Sequence, residues 1–414
     1  MTAGTAARVD AGTRGDEFQI GIALSAMGFV LAGLGACVAI LARDLDEPTG
    51  RLALLSSGFA VGLLVVALIG PRLLRSWPIP RVLAFGSVVC AIGAVLIAVA
   101  PTYTLAIAGG LFVGLGGALL VLVAPLLLNG PTAAARLSRV NAVASGTGIL
   151  APLAIGALDG LGPSGRLAMI AAAPPLLLLA VLTRRSQSPR PGLAGQRVEP
   201  TVSERGHVEP PVAVLIDSAP AVGLGRKWRG RVGRQVVVDV GVGWLRVVLA
   251  VSVEFCFVVW AVARLVATGL PTATAALLGS AFPIGMAIGR AIGPIRWRGW
   301  SPVLPSGALA ACGTLLVSLF DSPALVALGL VVAGLGVAPL YPVTLASLVA
   351  TPGLSSARLS AIGALASGTA ILVAPAVLAV LARVVDLRTA YLVTLPLIAV
   401  LFLLSRRSDR TSFV

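Results

Sequence analysis

The chain has 414 residues, of which 57% are hydrophobic and only 11% are charged, and its mean hydropathy is +1.00. Soluble domains carry about 25% charged residues, so this composition excludes a water-soluble surface, and a disordered chain would need the opposite composition. The net charge of +15 does not indicate nucleic-acid binding, because the basic residues lie between apolar segments and no nucleic-acid motif accompanies them. An all-α membrane protein is therefore predicted.

Twelve apolar segments follow a polar N-terminal tail, residues 1–17. A spanning helix needs about 20 mostly apolar residues, and charged, Pro-rich or Gly-rich stretches separate the segments here. The predicted spans are 18–41, 52–69, 82–100, 104–128, 139–159, 166–182, 244–266, 272–293, 303–320, 324–346, 359–382 and 387–404.

Two units of six spans, 18–182 and 244–404, are separated by a polar stretch. This stretch, 183–243, is rich in Arg, Pro, Gly and Ser and holds the one histidine, His207. Such a composition is typical of a tether between two bundles. A short polar tail, 405–414, ends the chain. The predicted organisation is two six-helix bundles joined by a linker.

The distribution of Arg and Lys predicts the orientation in the membrane. With the N-terminus inside, 25 of the 31 basic residues lie on the inner side, counting Arg246 at the inner start of span seven, and six lie on outer segments. Because Arg and Lys collect in cytoplasmic loops, both termini and the linker are predicted to be cytoplasmic. The excess of Arg over Lys, together with many Ala and Gly residues, indicates a bacterial source, so a multi-pass protein of the bacterial cytoplasmic membrane is expected.

The two predicted units carry the same short sequences in the same order. Ala-Arg-Leu-Ser at 135–138 recurs at 357–360, and Ala-Ser-Gly-Thr at 144–147 recurs at 366–369, both at one common offset. A Gly-Pro pair with Arg and Trp, an Ile-Leu pair with a following proline, and a terminal Arg-Arg-Ser also recur at corresponding places in the two units. One match means little in such an apolar sequence, but five predict a duplicated six-helix unit.

A parallel six-plus-six repeat with a cytoplasmic linker resembles the plan of major facilitator transporters. The loop after span two, Gly70 to Arg81, is similar to the glycine-and-basic motif of that superfamily, although the usual acidic residue is missing, and the copy beginning at Gly293 is also degenerate. The segment from Gly148 to Gly156 resembles, incompletely, a Gly/Pro motif of several antiporters. The resemblance implies the major facilitator fold, in which a small molecule binds between two bundles that rock to alternate access.

Spans seven, eight and ten resemble the fucose-permease-like branch of the superfamily. Val253-Glu254 with Trp260 in span seven, Ala281-Phe282 with Arg290 in span eight, and Gly334 to Pro342 in span ten carry this similarity. The resemblance to this branch suggests import of a sugar-like substrate by symport.

Glu254 is the outstanding candidate for mechanism. It lies about ten residues into span seven, roughly 15 Å from the cytoplasmic end, which is near the bilayer midplane. An acid there is costly and burial favours its neutral form, so it is suited to carry a proton. The alternative is a structural, protonated carboxyl hydrogen-bonded between helices. Proton coupling through Glu254 is the preferred hypothesis.

Five further residues are candidate substrate contacts, each with a structural alternative. An aromatic plane beside a cavity suits sugar rings or cations, but a Trp also anchors helices at the membrane interface, and an Arg can snorkel to it. Amide and phenol groups supply hydrogen bonds. The candidates are Trp260, Phe257, Asn141, Tyr341 and Arg290.

Glycines, prolines and arginines of the motifs are candidates for gating, because small residues permit close helix approach and prolines permit bends. Close packing without a gating role is the simpler interpretation of most glycines. The candidates are Gly70, Arg75, Gly148, Pro152, Gly293, Arg298 and Pro375.

Enzymatic function is not expected. Membrane enzymes need clustered acids, metal ligands or a nucleophile with a base, whereas the acids here are scattered and the one histidine lies in the linker. No phosphate-binding glycine loop is present, which also excludes a nucleotide-driven pump. No catalytic residue, metal or cofactor is therefore predicted.

The sequence favours a proton-coupled secondary transporter, with small-molecule substrate, protons and the lipid bilayer as its partners and a monomer as its expected state. Two alternatives stay open. The antiporter-like segment in span five suggests proton-driven efflux of a drug or metabolite instead of symport. The degenerate loop motifs leave room for a transport-inactive membrane sensor or partner-binding protein.

Overall fold

The computed structural model describes residues 3–48, 51, 54–128, 133–162, 164–185, 226–293, 301–354 and 356–411. Almost every described segment is helical, as a bilayer requires, because only helices and closed barrels satisfy the backbone there. The helices divide into two sets of six on either side of residues 186–225.

The N-terminal half has six helices, the last of which begins with a 3-10 segment, Gly165–Ala172. Their bounds are α1 Ala3–Asp44, α2 Leu54–Ser76, α3 Ile79–Val99, α4 Tyr103–Leu127, α5 Ala133–Gly160 and α6 Ala173–Arg185.

The C-terminal half repeats this order, with interruptions inside three helices. Its bounds are α7 Arg226–Val266, α8 Thr272–Gly279 with Ala281–Ile292, α9 Val303–Leu319, α10 Pro323–Val337 with Leu340–Val349, α11 Ser356–Leu381, and α12 Leu387–Ala390 with Tyr391–Val393 and Thr394–Thr411. The break in α10 lies at Ala338 and Pro339, since a proline lacks the amide that would continue the helical ladder.

The length of the apolar helices matches the predicted architecture. Ten helices in the described part of the chain are long and apolar enough to cross a membrane. Two more, Leu55–Gly70 and Val303–Leu319, are apolar but shorter, about 25 Å each at 1.5 Å per residue. Together they occupy the twelve predicted segments, so an all-helical, multi-pass architecture is confirmed.

Two helices extend beyond the apolar segments. The polar tail predicted at 1–17 is continuous with the first span, because α1 begins at Ala3. Likewise α7 begins at Arg226, well inside the stretch predicted as linker at 183–243. Of that stretch, residues 186–225 lie outside the described residues. The polar starts of α1 and α7 thus belong to the helices themselves.

Irregular helix starts recur with the sequence repeat. The segment Gly165–Ala172 that leads into α6 is a 3-10 helix, and the interrupted start of α12 begins at Leu387. The spacing of these two starts equals the offset between the repeated sequence motifs. Each half also has a helix with an internal proline, Pro152 in α5 and Pro375 in α11.

Among the described residues the halves meet chiefly through three helix pairs, α1 with α7, α2 with α11 and α5 with α8. We call the end of the bundle where α6 finishes and α7 begins the linker face, and the opposite end the far face. A Cβ on Gly35 of α1 would lie 2.1 Å from the Val258 carbonyl oxygen of α7, and one on Gly156 of α5 would lie 2.7 Å from Leu277 of α8. All four residues belong to the far-face half of their helices, so the halves are in close contact there.

Candidate functional site

Glu254 lies near the middle of the apolar part of α7 and pairs with a cation from α8. The Glu254 Oε1 to Arg290 Nη2 distance is 3.7 Å, which makes an ion pair but not a hydrogen bond. The Glu254 side chain keeps 15% of its surface exposed, and that of Arg290 keeps 39%. The acid is therefore largely shielded, while its partner cation is open to solvent or to a ligand.

Arg290 also reaches across to the other half. Its Nη1 donates a hydrogen bond of 2.7 Å to the Ser145 Oγ of α5. Ser145 in turn donates to the carbonyl of Asn141, at 2.9 Å, which fixes the serine hydroxyl as an acceptor for the arginine. One guanidinium thus connects an acid of the C-terminal half with a serine of the N-terminal half.

A second pair of polar residues, from α10 and α11, lies near Glu254. Tyr341, half-buried in α10, lies near Ser367 of α11 and near Glu254. Ser367 donates to the Gly363 carbonyl at 3.0 Å, so it also presents its oxygen as an acceptor. Glu254 thus has Arg290 and Tyr341 as neighbours, and each of these lies beside a serine.

The two serines are equivalent positions of the internal repeat. Ser145 and Ser367 are both the second residue of the Ala-Ser-Gly-Thr motif, once in each half. Because α5 and α11 are corresponding helices of the two halves, the duplication places the same hydroxyl beside a neighbour of the acid in each half, Ser145 at Arg290 and Ser367 near Tyr341. The sequence alone does not predict either serine as a substrate contact, although the repeated motif contains both positions.

Two aromatic candidates are packed between helices of the C-terminal half. Trp260 is 2% exposed and its indole Nε1 donates to the Pro375 carbonyl of α11 at 3.3 Å. Phe257 is fully buried, stacked on Phe282 with ring centroids 5.3 Å apart and in contact with Tyr391. Both residues therefore face neighbouring helices in this structure, where they hold α7 against α8, α11 and α12.

The remaining substrate candidate, Asn141, lies exposed on α5, one turn before Ser145. Its side chain is positioned at the same helix surface as the serine because residues four apart share a face. Among the predicted contacts, Arg290 and Tyr341 thus lie near Glu254 and Asn141 lies near Ser145, whereas Trp260 and Phe257 are buried between helices.

The gating candidates in the N-terminal half have distinct local roles. A Cβ on Gly70 would lie 2.7 Å from Leu122 of α4, so this glycine allows α2 and α4 to approach. Arg75 is exposed at the end of α2. A Cβ on Gly148 would lie 3.3 Å from the Gly28 carbonyl oxygen of α1, so Gly148 brings α5 close to α1.

In the C-terminal half the gating candidates mark helix ends and helix interiors. Gly293 ends α8 with a φ of 76°, a left-handed conformation that favours glycine. Pro375 lies inside α11 as Pro152 lies inside α5, and its carbonyl is the acceptor of the Trp260 bond. Arg298 lies outside the described residues.

The far ends of both halves carry a different kind of charged cluster. Arg264 of α7 is 1% exposed and donates to the Val317 and Phe320 carbonyls at 3.0 and 2.7 Å and to Asp321 at 2.9 Å. In the N-terminal half Arg43 forms a two-bond pair with Asp159, at 2.7 and 2.8 Å. Backbone carbonyls and Asp321 thus satisfy the buried guanidinium of Arg264.

The chemistry of the site is therefore that of a shielded acid beside an exposed cation, with hydroxyls from both halves. In the described part of the chain no group of three or more His, Cys, Asp or Glu could hold a metal ion. Protonation of Glu254 would remove the attraction that holds Arg290, and the guanidinium could then bind another anionic or polar group.

Comparison with known proteins places the chain in a family. A profile of the major facilitator superfamily matches residues 20–349. A search of curated proteins finds no match. The profile covers most of the chain, including the helices that carry Glu254, Arg290, Ser145 and Tyr341.

Several solved structures share this fold at low identity. A bacterial homolog of the human lysosomal transporter Spinster, inward-facing and unoccupied, has a TM-score of 0.69 at 12% identity, over 97% of both chains. A peptide transporter in complex with sulfate has a TM-score of 0.65 at 16% identity, over 95% of both. The fucose:proton symporter of E. coli has a TM-score of 0.53 at 17% identity, over 93% of this chain and 97% of that one.

These identities are low enough that the structures establish the fold alone. The family assignment rests on the profile, and the twelve helices in two repeated halves agree with it. The chain is an all-helical, multi-pass membrane protein and not an enzyme. It belongs to the major facilitator superfamily and is a secondary transporter of a small molecule.

Proposed function

We propose that this transporter is driven by protons and that Glu254 carries the proton. The observation that supports this most directly is the three-residue contact of Glu254, Arg290 and Ser145, with distances of 3.7 and 2.7 Å. Arg290 contacts both the shielded acid and a serine of the opposite half. Protonation of the acid can therefore change the contact between the two halves.

The cycle follows from the charge of the acid. Ionised Glu254 attracts Arg290 and keeps it near Ser145, whereas a proton bound to the carboxylate removes that attraction. Arg290 is then available to a substrate group, and the bond between the halves is weakened. Rocking of the halves exposes the site to the other side, where loss of the proton from Glu254 restores the ion pair.

The polar groups around Glu254 suit a small polar substrate. Arg290, Tyr341, Asn141 and the two serines supply donors and acceptors, and a sugar-like molecule taken up by symport is the first candidate. The fold is shared with a fucose:proton symporter, which is consistent with this proposal. Stacking of a sugar ring on Trp260 does not support this candidate substrate, because the indole ring is buried against α11.

Proton-driven efflux of a drug or metabolite is the second candidate. Gly148 brings α5 against α1, and Pro152 lies in α5 one turn later, in the segment that resembles the antiporter motif. The same Glu254 would then exchange a proton for substrate rather than accompany it. A transport-inactive sensor, which binds without moving substrate, is the third.

For the cellular setting we propose that the linker face is cytoplasmic, in the cytoplasmic membrane of a bacterium. The count of 25 inner against six outer basic residues supports this orientation. We further propose that the protein functions as a monomer, since the site is formed within one chain.

The test uses purified full-length protein in proteoliposomes with radiolabelled fucose, a nucleoside, a dipeptide and, in the outward direction, ethidium. For any compound that is transported, an imposed pH gradient should drive accumulation by the wild type. Glu254→Gln should lose this accumulation but still exchange labelled for unlabelled compound, because exchange needs no net proton movement.

A matched control is Asp239→Asn on the same helix, whose exposed side chain is held by Gln235 near the linker face. It should accumulate substrate as the wild type does. Accumulation by Glu254→Gln at the wild-type level would refute the proton-carrying role. Binding of a compound without any flux in the wild type would instead favour the sensor.

A further inference from the structure

A groove on the N-terminal half lies away from the Glu254 site. It has a volume of about 840 Å³ and an almost entirely apolar lining. Residues of α1, including Ile22, Ala26 and Phe29, form its floor, while Val143 of α5 and Ala171 before α6 belong to its walls. The groove thus lies between α5 and α6, over α1.

The groove faces the bilayer rather than the other half. Val143 and Leu150 are turned by about 150° around α5, at 100° per residue, from Ser145, which contacts the C-terminal half. Val143 is 57% exposed and Leu150 is 56% exposed. A groove with such walls opens sideways to lipid.

One end of the groove is charged. Glu17 of α1 and Arg139 of α5 both line it, with Oε1 and Nη2 3.4 Å apart, and the Arg139 side chain is 68% exposed. From Glu17 to Phe29 the α1 floor runs for about 18 Å at 1.5 Å per residue. This is close to half of the roughly 30 Å hydrocarbon core, so the groove extends from one membrane interface to the midplane.

We propose that this groove binds one acyl chain of an anionic phospholipid from the linker-face leaflet, with the lipid phosphate at Arg139. An apolar channel one leaflet deep fits a lipid tail, and an exposed guanidinium at its mouth fits a phosphate, which an arginine binds through paired hydrogen bonds. This binding site is separate from the transport site and does not depend on the coupling role of Glu254.

Gly21 provides a selective test because it lines the groove and a Cβ there would meet nothing within 4 Å. Gly21→Leu therefore fills the groove without a clash and replaces a poor helix former with a good one. Ala171→Leu, at an exposed position of the opposite wall, fills it independently. Gly241→Leu is the matched control, because Gly241 also faces open space but lies on α7.

The measurement is native mass spectrometry of the full chain in detergent, titrated with dioleoyl phosphatidylglycerol or with the zwitterionic dioleoyl phosphatidylcholine. The wild type should bind one phosphatidylglycerol more tightly than all others. Gly21→Leu and Ala171→Leu should lower the affinity for that first lipid at least about tenfold, because the filled groove no longer accommodates the acyl chain. Gly241→Leu should leave it unchanged.

Arg139→Gln tests the headgroup. It should reduce the preference for phosphatidylglycerol over phosphatidylcholine about fivefold, while the tail still binds. Thermal unfolding of each variant verifies that it is folded. The proposal is overturned if the wild type shows no tighter first lipid, or if both groove-filling variants bind it as the control does.

Discussion

Arg290 holds the key contact at the level of single residues, because it is bonded to Ser145 and attracted to Glu254 at once. A hydrogen bond with one charged partner contributes about 1.5–3 kcal/mol. The contact joins the two halves on the linker side of the site, so its loss should favour opening at the linker face.

Ser145→Ala should therefore shift the population of conformations toward an open linker face by about tenfold, the equivalent of about 1.4 kcal/mol. Spin labels on Gly15→Cys and Gly241→Cys, both exposed and in open space in the linker-face parts of α1 and α7, report the separation. The exposed Cys312 is first replaced by serine. The longer-distance population should grow in Ser145→Ala.

Ser306→Ala is the control for this change. The Ser306 hydroxyl donates to the Pro302 carbonyl one turn earlier, within one half. The distance distribution of this variant should equal that of the parent chain. An unchanged distribution in Ser145→Ala would show that the Arg290 bond does not bias the halves.

A functional residue can be predicted from the sequence when its position in a membrane span is energetically costly. An acid in an apolar span is expensive, so Glu254 is visible from the sequence, and the structure indeed surrounds it with Arg290 and Tyr341. A serine in a membrane helix costs little free energy, so the sequence does not distinguish the two serines from other small residues. The direction of the Trp260 ring could not be predicted, because it depends on how α7 packs against α11 around Pro375.

At the level of helices, close approach between the halves depends on glycine at one position of α1. A Cβ on Gly35 would lie 2.1 Å from the Val258 carbonyl oxygen, a distance that no packing can accommodate. Gly35→Ala should therefore separate α1 from α7 and keep the far face open, so that transport is lost by at least about tenfold.

A second glycine-to-alanine substitution on α1 serves as the control for Gly35→Ala. Gly21→Ala adds an identical methyl group in open space and should transport as the wild type does. Both variants gain about 1 kcal/mol of helix propensity, so a difference between them reports the contact with α7. Equal transport rates in the two variants would contradict the proposed far-face closure.

The far end of α7 is fixed by Arg264, which is bonded to two carbonyls at the end of α9 and to Asp321. Arg388 of α12 also pairs with Asp321, which connects α7, α9 and α12. Arg264→Ala leaves these acceptors without their donor, and we expect a loss of about 3 kcal/mol in unfolding free energy.

Thermal unfolding in detergent measures this loss. Arg383→Ala removes an exposed arginine just after α11 and should change the unfolding free energy by less than about 0.5 kcal/mol. If both variants melt at the same temperature, the Arg264 cluster does not stabilise the far face.

Helix positions could be predicted well and helix ends less well. Apolar length defines a span, so all twelve segments are found at their predicted places. Polar residues at the starts of α1 and α7 are compatible with helix or tether alike, and hydropathy does not distinguish the two. The irregular starts of α6 and α12 depend on packing against their own halves.

At the scale of the whole molecule, the duplicated sequence explains how the site is built. The repeat predicts two bundles, and the structure pairs their helices across the interface, α1 with α7, α2 with α11 and α5 with α8. Equivalent serines therefore reach the site from both halves, whereas the acid exists in one half only, since Ala32 is the counterpart of Glu254 at the offset of the repeat. The two halves thus have equivalent helices, but only one of them contributes the acid.

Counting protons directly tests the central claim. Proteoliposomes loaded with a pH-sensitive dye report proton movement when a transported compound of the panel is added outside. The wild type should move protons in a fixed ratio to substrate, and Glu254→Gln should exchange substrate with no proton signal. A proton signal in Glu254→Gln equal to that of the wild type would contradict the role of Glu254.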